Sequence, residues 1–187
     1  MVALFGRYEY LHELGRGSSG RVFAARDLAD DGALRAIKVL SGPSASRLVW
    51  EFARLSRIEH DGVARVRELL RVEQPEHAPF RLSAPSLLLV EDLIEGQPLS
   101  RFGQTERSFV EREAFAIQVA LDLASALAAV HAAGLVHGDI KPDNVMIDAA
   151  RVRPVLVDLG FCEPPGFREH PSGTPRYMAP ELLAGLS

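Results

Sequence analysis

The chain has 187 residues, of which 47% are hydrophobic and 25% charged, enough to bury a core in one or two small lobes. Its formal net charge is −4 and charges of both signs are interspersed, so composition favours neither a nucleic-acid partner nor a membrane surface. A single cysteine, Cys162, excludes an intrachain disulfide and a cysteine-based metal cluster. The N terminus lacks a signal-peptide pattern and no uninterrupted apolar run approaches ~18 residues, so we expect a cytoplasmic chain without a membrane segment.

Short β-type runs dominate the first half of the sequence. They are "YEYLHELG", "RVFAARDL", "LRAIKVL", "VARVRELLRV" and "PSLLLVEDL". Turn residues such as Asp31 and Gly32 separate them, which predicts an antiparallel sheet. One helical segment interrupts the strands, with apolar residues at helical spacing: Leu48, Val49, Phe52 and Leu55. The stretch "EQPEHAPFRLSAPS" has three prolines and no periodicity, so we expect a long loop.

The second half begins near residue 97 and is predicted to be mainly helical. The longest helix is expected from about Glu111 to Ala133, ended by Gly134. Its apolar stripe consists of Phe115, Val119, Leu123, Leu127 and Val130. Short strands are expected around "NVMI" and "VLVDL". We therefore expect two lobes, residues 1–96 and 97–187.

A glycine-rich segment, "LGRGSSGRVF", fits the spacing G-x-G-x-x-G at Gly15, Gly17 and Gly20, with Val22 following. The spacing alone is weak, because it also occurs by chance and in dinucleotide-binding folds. A dinucleotide fingerprint opens a helix, whereas here a β-type run follows. The pattern therefore indicates either an ordinary hairpin or a strand–loop–strand flap whose backbone approaches a phosphate chain.

Lysine use is unusual, because only Lys38 and Lys141 are lysines among the 21 basic residues. Lys38 lies on a predicted strand, and Glu51 lies on the helical segment that follows. An exposed ion pair contributes only about 0–1 kcal/mol, so stability is a poor reason for such a pair. A compact ammonium held against phosphate oxygens is a better one, because an arginine would not replace it there.

These motifs occur in the order and spacing of the protein kinase family, and from about Tyr8 onward the sequence resembles the Ser/Thr branch of that family, in a bacterial-type form. The matching segments are "GRGSSGRV" (glycine-rich loop), "AIK" (strand-three lysine), Glu51 (helix-C glutamate), "LLLVEDLIEGQPL" (hinge), "HGDIKPDN" (catalytic loop), "DLG" (metal-binding triplet) and "GTPRYMAPE" (end of the activation segment). The resemblance implies an α+β, protein kinase-like fold. It has a small antiparallel-sheet N-lobe with one helix, followed by the first part of a mainly helical C-lobe.

The resemblance also implies the cofactors ATP and Mg²⁺ and a set of site residues. Asp139 would accept the proton of the substrate hydroxyl, Lys141 would steady the transferred phosphoryl group, and Thr174 would seat the acceptor. Asn144 and Asp158 would be the oxygen ligands of Mg²⁺. Val90 would be the gatekeeper that precedes the hinge. The nucleotide-contacting residues would be Gly15, Gly17, Gly20, Val22, Ala36, Lys38, Glu51, Val90, Glu91 and Leu93.

The sequence departs from the family pattern in three places. Leu159 replaces the usual phenylalanine of the metal-binding triplet, an apolar change with similar packing demands. Gly138 replaces the usual arginine that grips a phosphate on the activation segment. We therefore expect activity without phosphorylation of that segment, where Ser172 would be the candidate switch residue. The sequence ends six residues after Glu181, so we expect further helices and domains beyond residue 187 in a full-length protein.

Two classes of function remain open from the sequence. The first is ATP-dependent phosphoryl transfer to Ser/Thr of a protein substrate, carried here by an incomplete catalytic domain that on its own would be nearly inactive. The second is a non-catalytic module, a pseudokinase, that binds a nucleotide or a partner. Small-molecule phosphotransferases of related fold are a third class, disfavoured because "GTPRYMAPE" resembles protein kinases.

Overall fold

The structure is a computed structural model that describes residues 3–4, 6–17, 20–40, 49, 52–72, 86–102, 109–166 and 173–184. Its chain forms two compact units. The first unit contains Met1–Ser56 and Arg65–Leu93, and the second contains Arg57–Ala64 and Ile94–Ser187. Glu51, Leu48, Ser172 and the expected loop at residues 73–85 lie outside the described residues.

The first unit is a six-stranded antiparallel sheet, as the β-type runs predict. Its strands are β1 (Ala3–Leu4), β2 (Tyr8–Gly17), β3 (Gly20–Asp27), β4 (Ala33–Leu40), β5 (Val66–Val72) and β6 (Ser86–Asp92). Their order across the sheet is β1-β2-β3-β4-β6-β5. The turn between β3 and β4 contains Asp31 and Gly32 with φ of 45° and 75°, and Asp and Gly tolerate these left-handed angles. Residues 49 and 52–55 are helical, which agrees with the predicted helical segment.

One face of this sheet packs a hydrophobic core. The core contains Leu4, Tyr8, Phe23, Ala25, Ile37, Val72, Leu88 and Val90. Tyr10 packs its ring edge-on to Phe23, with the ring centroids 5.8 Å apart. Because each of β3, β4 and β6 sends alternate side chains into this core, the register of the sheet is fixed by burial.

A network of ion pairs joins residues at or near the ends of several strands, at one end of the sheet. Arg7 donates to both carboxylate oxygens of Asp27, at 2.7 and 2.8 Å. Arg35 and Arg67 both donate to Asp92, at 2.7 Å from Arg35 and at 2.8 and 2.6 Å from Arg67. The hydrogen bonds from Arg7 hold the pKa of Asp27 below its usual range, although burial acts in the opposite direction. The paired residues are far apart in sequence, so periodicity gave no sign of this network.

The second unit contains a long helix and a three-stranded antiparallel sheet. The helices are α1 (Leu99–Phe102), α2 (Phe109–Ala132) and α3 (Pro180–Leu183), and the strands are β7 (Gly96–Pro98), β8 (Val145–Asp148) and β9 (Pro154–Leu156). Short 3-10 turns cover Pro142–Asn144, Leu159–Phe161 and Pro175–Tyr177. The sheet order is β7-β8-β9. The predicted long helix and both predicted short strands are confirmed.

Residues 57–64 belong to the second unit, although the residues before and after them in the sequence belong to the first unit. Ala64 donates its backbone N–H to Leu156 O, and Leu156 donates to Gly62 O, both at 2.8 Å. The His60 ring lies 3.0 Å from the Ser125 hydroxyl of α2 through Nε2. This segment therefore extends the edge of β9 and is anchored to α2.

Helix α2 ends where Gly134 was expected to end it. Gly134 has φ of +72°, and its N–H donates to His131 O at 2.9 Å. Leu135 donates to Val130 O at 3.3 Å, which completes the hydrogen-bond pattern of a Schellman C-cap. The cap turns the chain directly into the segment of Leu135 to Asn144.

One stripe of α2 packs inward and another is exposed. Val119 and Val130 of the predicted stripe are buried, and Phe115, Leu123 and Leu127 are half-buried. On the other side, Val110, Ile117 and Leu121 are 71%, 56% and 61% exposed. By length and composition, Val110–Ala132 could also cross a membrane. The sequence did not indicate this, because polar residues interrupt the apolar run. One such helix is weak evidence for a membrane segment, because a helix of a soluble domain passes the same test.

We expect the carboxylate of Asp27 to stabilise the first unit. Asp27→Asn should lower the free energy of unfolding at pH 7 by roughly 1.5–3 kcal/mol, because it removes the negative charge and one of the two acceptor oxygens to which Arg7 donates. The folded-state pKa is lowered, so this stabilisation is present above the unfolded pKa and is lost as pH falls through the folded pKa. Urea unfolding across the acid range should therefore show the gap between the two proteins closing. Asp31→Asn, at an exposed turn, is the control and should change little; a gap independent of pH would contradict the assignment.

We expect the exposed stripe of α2 to cause self-association of residues 1–187, because contiguous exposed apolar surface favours association. Replacing Ile117 and Leu121 together by glutamate should shift the protein toward monomer in size-exclusion chromatography with light scattering. Leu28→Glu, which removes an exposed leucine of the first unit, is the control and should not shift the protein toward monomer. A wild-type chain that is already a monodisperse monomer would show this expectation to be wrong.

Candidate active site

The glycine-rich segment forms the β2–β3 hairpin and does not open a helix, so it lacks the geometry of a dinucleotide fingerprint, and its contact with a phosphate chain stays a prediction. Gly17 is the last residue of β2 and pairs with Gly20, the first residue of β3, while Gly15 pairs with Val22. Gly20 has φ of +128°, and a Cβ at this position would lie 2.0 Å from Val39 O. Only glycine fits there, because any side chain would collide with the backbone of β4.

Lys38 lies on one face of the sheet together with two predicted nucleotide-contacting residues. Val22 on β3 is opposite Lys38 on β4, and Ala36 lies two residues along β4, so all three share a face. Lys38 is only 2% exposed. Its pairing with Glu51 stays a prediction, because Glu51 lies outside the described residues.

Val90, predicted to be the gatekeeper, lies away from the face of Lys38, and its role as gatekeeper stays a prediction. Val90 is opposite Ile37 and is fully buried in the core of the other sheet face. Glu91 is opposite Ala36 and therefore lies on the face of Lys38. The backbone N–H of Leu93, a predicted hinge contact, donates to Leu34 O at 3.3 Å. The residue of β6 that shares the face of Lys38 and precedes the exit of the strand is thus Glu91.

The catalytic-loop motif begins with a buried histidine that shapes the backbone. His137 is 1% exposed, and its Nε2 lies 3.3 Å from Val157 O. Its Nδ1 faces the N–H of Asp139 at 3.4 Å, which assigns the proton to Nε2. Burial lowers the pKa of His137 below its usual value, so the ring is neutral at pH 7. His137 therefore connects the loop to the chain that precedes Asp158.

Gly138 and Gly173 bring two distant segments into close backbone contact. Gly138 has φ of +82° and Gly173 has φ of +129°. A Cβ on Gly173 would lie 2.9 Å from the carbonyl oxygen of Gly138. Both positions thus have a physical reason for glycine, and the contact brings Thr174 to Asp139.

The carboxylate of Asp139 accepts hydrogen bonds from three side chains and one backbone amide. Thr174 donates to Oδ1 from its N–H and from its hydroxyl, each at 2.9 Å. Lys141 and Asn144 donate to Oδ2 at 2.7 and 3.0 Å. Lys141 Nζ also donates to the Thr174 hydroxyl oxygen at 2.9 Å. The structure therefore brings together the three residues assigned to catalysis.

Asp139 is 4% exposed, and its surroundings keep it ionised. Burial alone would raise the pKa of Asp139, but the hydrogen bonds from Lys141 and Thr174, with that of Asn144, outweigh burial and hold the pKa below its usual range. A carboxylate with a lowered pKa is a weak base, so it accepts a proton only from a group that has become strongly acidic. That is the property required of a group that receives a hydroxyl proton late in phosphoryl transfer.

The residues expected to bind Mg²⁺ offer a suitable set of oxygen atoms. Asn144 donates through Nδ2 to Asp139, at 2.8 Å to its backbone oxygen and 3.0 Å to Oδ2, which leaves Asn144 Oδ1 as the acceptor atom of the side chain. Asp158 has a left-handed φ of 64° at the start of a 3-10 turn, a type of strain that recurs at functional sites. Val157 donates its N–H to Asn144 O at 3.0 Å and so ties the two segments together. Two oxygen ligands from side chains are what Mg²⁺ takes when it completes its shell with water and phosphate.

Two features of this site were not found by sequence reasoning. An open pocket beside Asp139 and Thr174 has an apolar wall made by Ile140, Met178 and Leu182, among others. Asp143, inside the catalytic-loop motif, accepts a hydrogen bond from Ser100 of α1 at 2.6 Å. The motif spacing indicates which residues act, but long-range partners such as Ser100 have no signal in the sequence.

A profile of the family described as "Protein kinase domain" matches residues 8–187. Among similar proteins, the serine/threonine-protein kinase PkaA of Streptomyces coelicolor is 36% identical over 95% of this chain and 35% of its own length. PkaB of the same organism is 35% identical over 96% of this chain and 44% of its own length. Sgk1 of Rattus norvegicus is 34% identical over 94% of this chain and 40% of its own length. The chain therefore spans less than half the length of these relatives.

The profile covers nearly the whole chain, the relatives exceed 30% identity, and the geometry around Asp139 agrees with the motif assignment. The chain belongs to the protein kinase family, in its Ser/Thr branch.

Proposed function

We propose that this chain carries the nucleotide-binding and phosphoryl-transfer residues of an ATP- and Mg²⁺-dependent protein serine/threonine kinase. The observation that carries the proposal is the cluster of Asp139, Lys141, Asn144 and Thr174, in which an ionised carboxylate is held by donors from the catalytic loop and from the activation segment. A cytoplasmic location is part of the proposal and is supported by the single cysteine of the sequence, which is buried and cannot form an intrachain disulfide.

The proposed roles of the residues are those that the resemblance to the family implies, and the positions of the described residues support them. MgATP, when bound, supplies the transferable phosphoryl group. Asp139 would receive the proton of the Ser or Thr hydroxyl while the hydroxyl oxygen bonds to the γ-phosphorus of ATP and the bond from that phosphorus to ADP breaks, with ADP as the leaving group. Lys141 would neutralise charge on the phosphoryl oxygens. Asn144 and Asp158 would hold the metal through oxygen, and Thr174 fixes the orientation of Asp139. The buried Lys38 holds the phosphate chain by a compact ammonium group.

A non-catalytic nucleotide-binding module is the second candidate. The observation that favours it is that both oxygens of Asp139 are already occupied by donors. In a catalytic protein the substrate hydroxyl must take the place of one donor, and Lys141 must turn toward the phosphate. The two candidates therefore differ in whether Asp139 affects turnover.

We expect Asp139→Asn to reduce turnover by at least about 100-fold while leaving MgATP affinity nearly unchanged, because only the proton acceptor is lost. Asp158→Ala should also weaken the Mg²⁺-dependent part of nucleotide binding. Because the pKa of Asp139 is lowered, its base form should persist to acid pH, and the acid limb attributable to it should lie below the usual Asp range. Peptide phosphorylation and calorimetry of nucleotide binding measure both effects.

Asp143→Asn is the matched control for these variants, because Asp143 is a carboxylate of the same loop that faces Ser100. It should leave turnover within a few-fold of wild type. If a protein that carries the complete catalytic domain binds MgATP and shows no phosphoryl transfer, the non-catalytic candidate is the correct one.

We expect Lys38→Arg to reduce turnover by about 100-fold, because a guanidinium keeps the charge but displaces the phosphate contact by about an ångström. Thermal melting should show that folding is retained. Arg71→Lys, a swap of the same two residue types at an exposed position of β5, is the control and should keep full activity. Unchanged turnover in Lys38→Arg would remove Lys38 from the site.

A further inference from the structure

The last pair of the β2–β3 hairpin consists of two glycines, so the shape of its end depends on the residues beside them. Gly17 pairs with Gly20, and the next pair along the hairpin is Arg16 with Arg21. Glycine has no side chain that could pack, and its backbone is the most permissive of all residues. Arg16 and Arg21 are therefore the first pair whose side chains can hold the end of the hairpin.

The pair of Arg16 and Arg21 places two positive charges directly opposite each other. Like charges at opposite positions of neighbouring strands destabilise the pairing of the strands. Glu13 supplies the missing negative charge. Its carboxylate accepts hydrogen bonds from Arg21 at 2.7 and 3.5 Å, and its Oε1 lies 3.7 Å from Arg16 Nε. The hydrogen bond from Arg21 holds the pKa of Glu13 below its usual value, so the carboxylate is ionised at pH 7.

A β-bulge brings Glu13 to the side of the sheet on which the two arginines lie. The register shifts by one residue between Glu13 and Gly15, so Leu14 has no residue opposite it. In a regular strand, residues three positions apart point to opposite faces. The extra residue cancels one alternation, and Glu13 and Arg16 therefore share a face.

The hydrophobic core holds Arg21 from a second side. Its guanidinium lies 4.8 Å from the centroid of the Phe23 ring, which is buried. Since Arg21 and Phe23 flank Val22 in β3, they lie on the sheet face opposite to that of Val22. The ion pair of Glu13 and Arg21 can therefore act on a phosphate chain at the face of Lys38 only through the backbone of the hairpin.

We propose that Glu13 is a positioning residue that holds the end of the glycine-rich hairpin in the conformation that binds the phosphate chain of ATP, by neutralising Arg16 and Arg21. This inference rests on the proposed function, in which the backbone of the hairpin approaches the phosphates. A backbone that is fixed before binding loses less conformational entropy on binding. Without the charge of Glu13, the repulsion between the two arginines widens the hairpin, and this advantage is lost.

The test compares the affinities of MgATP and adenosine, measured by calorimetry on a protein that carries the complete catalytic domain. Glu13→Gln keeps the size of the side chain but removes its charge, so the affinity for MgATP should fall roughly two- to fivefold. Adenosine has no phosphates, so its affinity should stay the same. Adding Arg16→Gln to Glu13→Gln removes the repulsion and should restore most of the lost affinity for MgATP. A general loss of stability would instead lower both affinities together.

Glu9→Gln is the matched control, because Glu9 pairs with Arg26 on the same two strands, at 3.4 Å and further from the glycines. It should leave both affinities unchanged. An unchanged affinity for MgATP in Glu13→Gln, or an equal loss in Glu9→Gln, would overturn the role of Glu13. Tighter binding of MgATP by Glu13→Gln would overturn it as well, because the carboxylate would then be keeping the arginines from the phosphates. A wild-type protein that binds MgATP no more tightly than adenosine would contradict the proposed function, and the inference with it.

Discussion

The candidate active site depends on one buried negative charge, the carboxylate of Asp139. A buried carboxylate is stable only if donors surround it, and here the donors come from two segments that are 35 residues apart at Asp139 and Thr174. Gly138 and Gly173 allow these segments to approach at the backbone. The ionised state of Asp139 and the ordered position of Thr174 are therefore two results of one set of contacts.

The rest of the second unit holds this charge in place. The Schellman cap at Gly134 directs the chain from α2 into the loop, and His137 fixes the loop to Val157 O. Asn144 contributes through its side chain to Asp139 and through its backbone to Val157. Because Val157 immediately precedes Asp158, the proton acceptor and the proposed metal ligands are positioned by the same few hydrogen bonds.

The sequence predicted the elements well because their signals are local. Strand runs, the turn at Asp31 and Gly32, and the glycine after the long helix each depend on a few adjacent residues. The face on which a residue of β6 lies could not be predicted, because Leu87 to Val90 are all apolar and a strand without alternation does not show its register. The ion-pair network of Asp27 and Asp92 was missed because its partners are distant in sequence. The motif around Asp139 could be recognised from spacing, but its hydrogen bonds required coordinates.

The segment at residues 57–64 has a consequence for how the chain can be divided. It hydrogen-bonds to the open edge of β9 through Gly62 and Ala64, although it precedes β5 in the sequence. A cut between residues 93 and 94 would leave Leu156 with an unpaired N–H and C=O at an exposed strand edge, a surface prone to pairing with other chains. Neither unit is thus a contiguous piece of sequence, and exchange of one lobe between related proteins, by recombination or by design, must carry residues 57–64 with the second lobe to keep that edge covered.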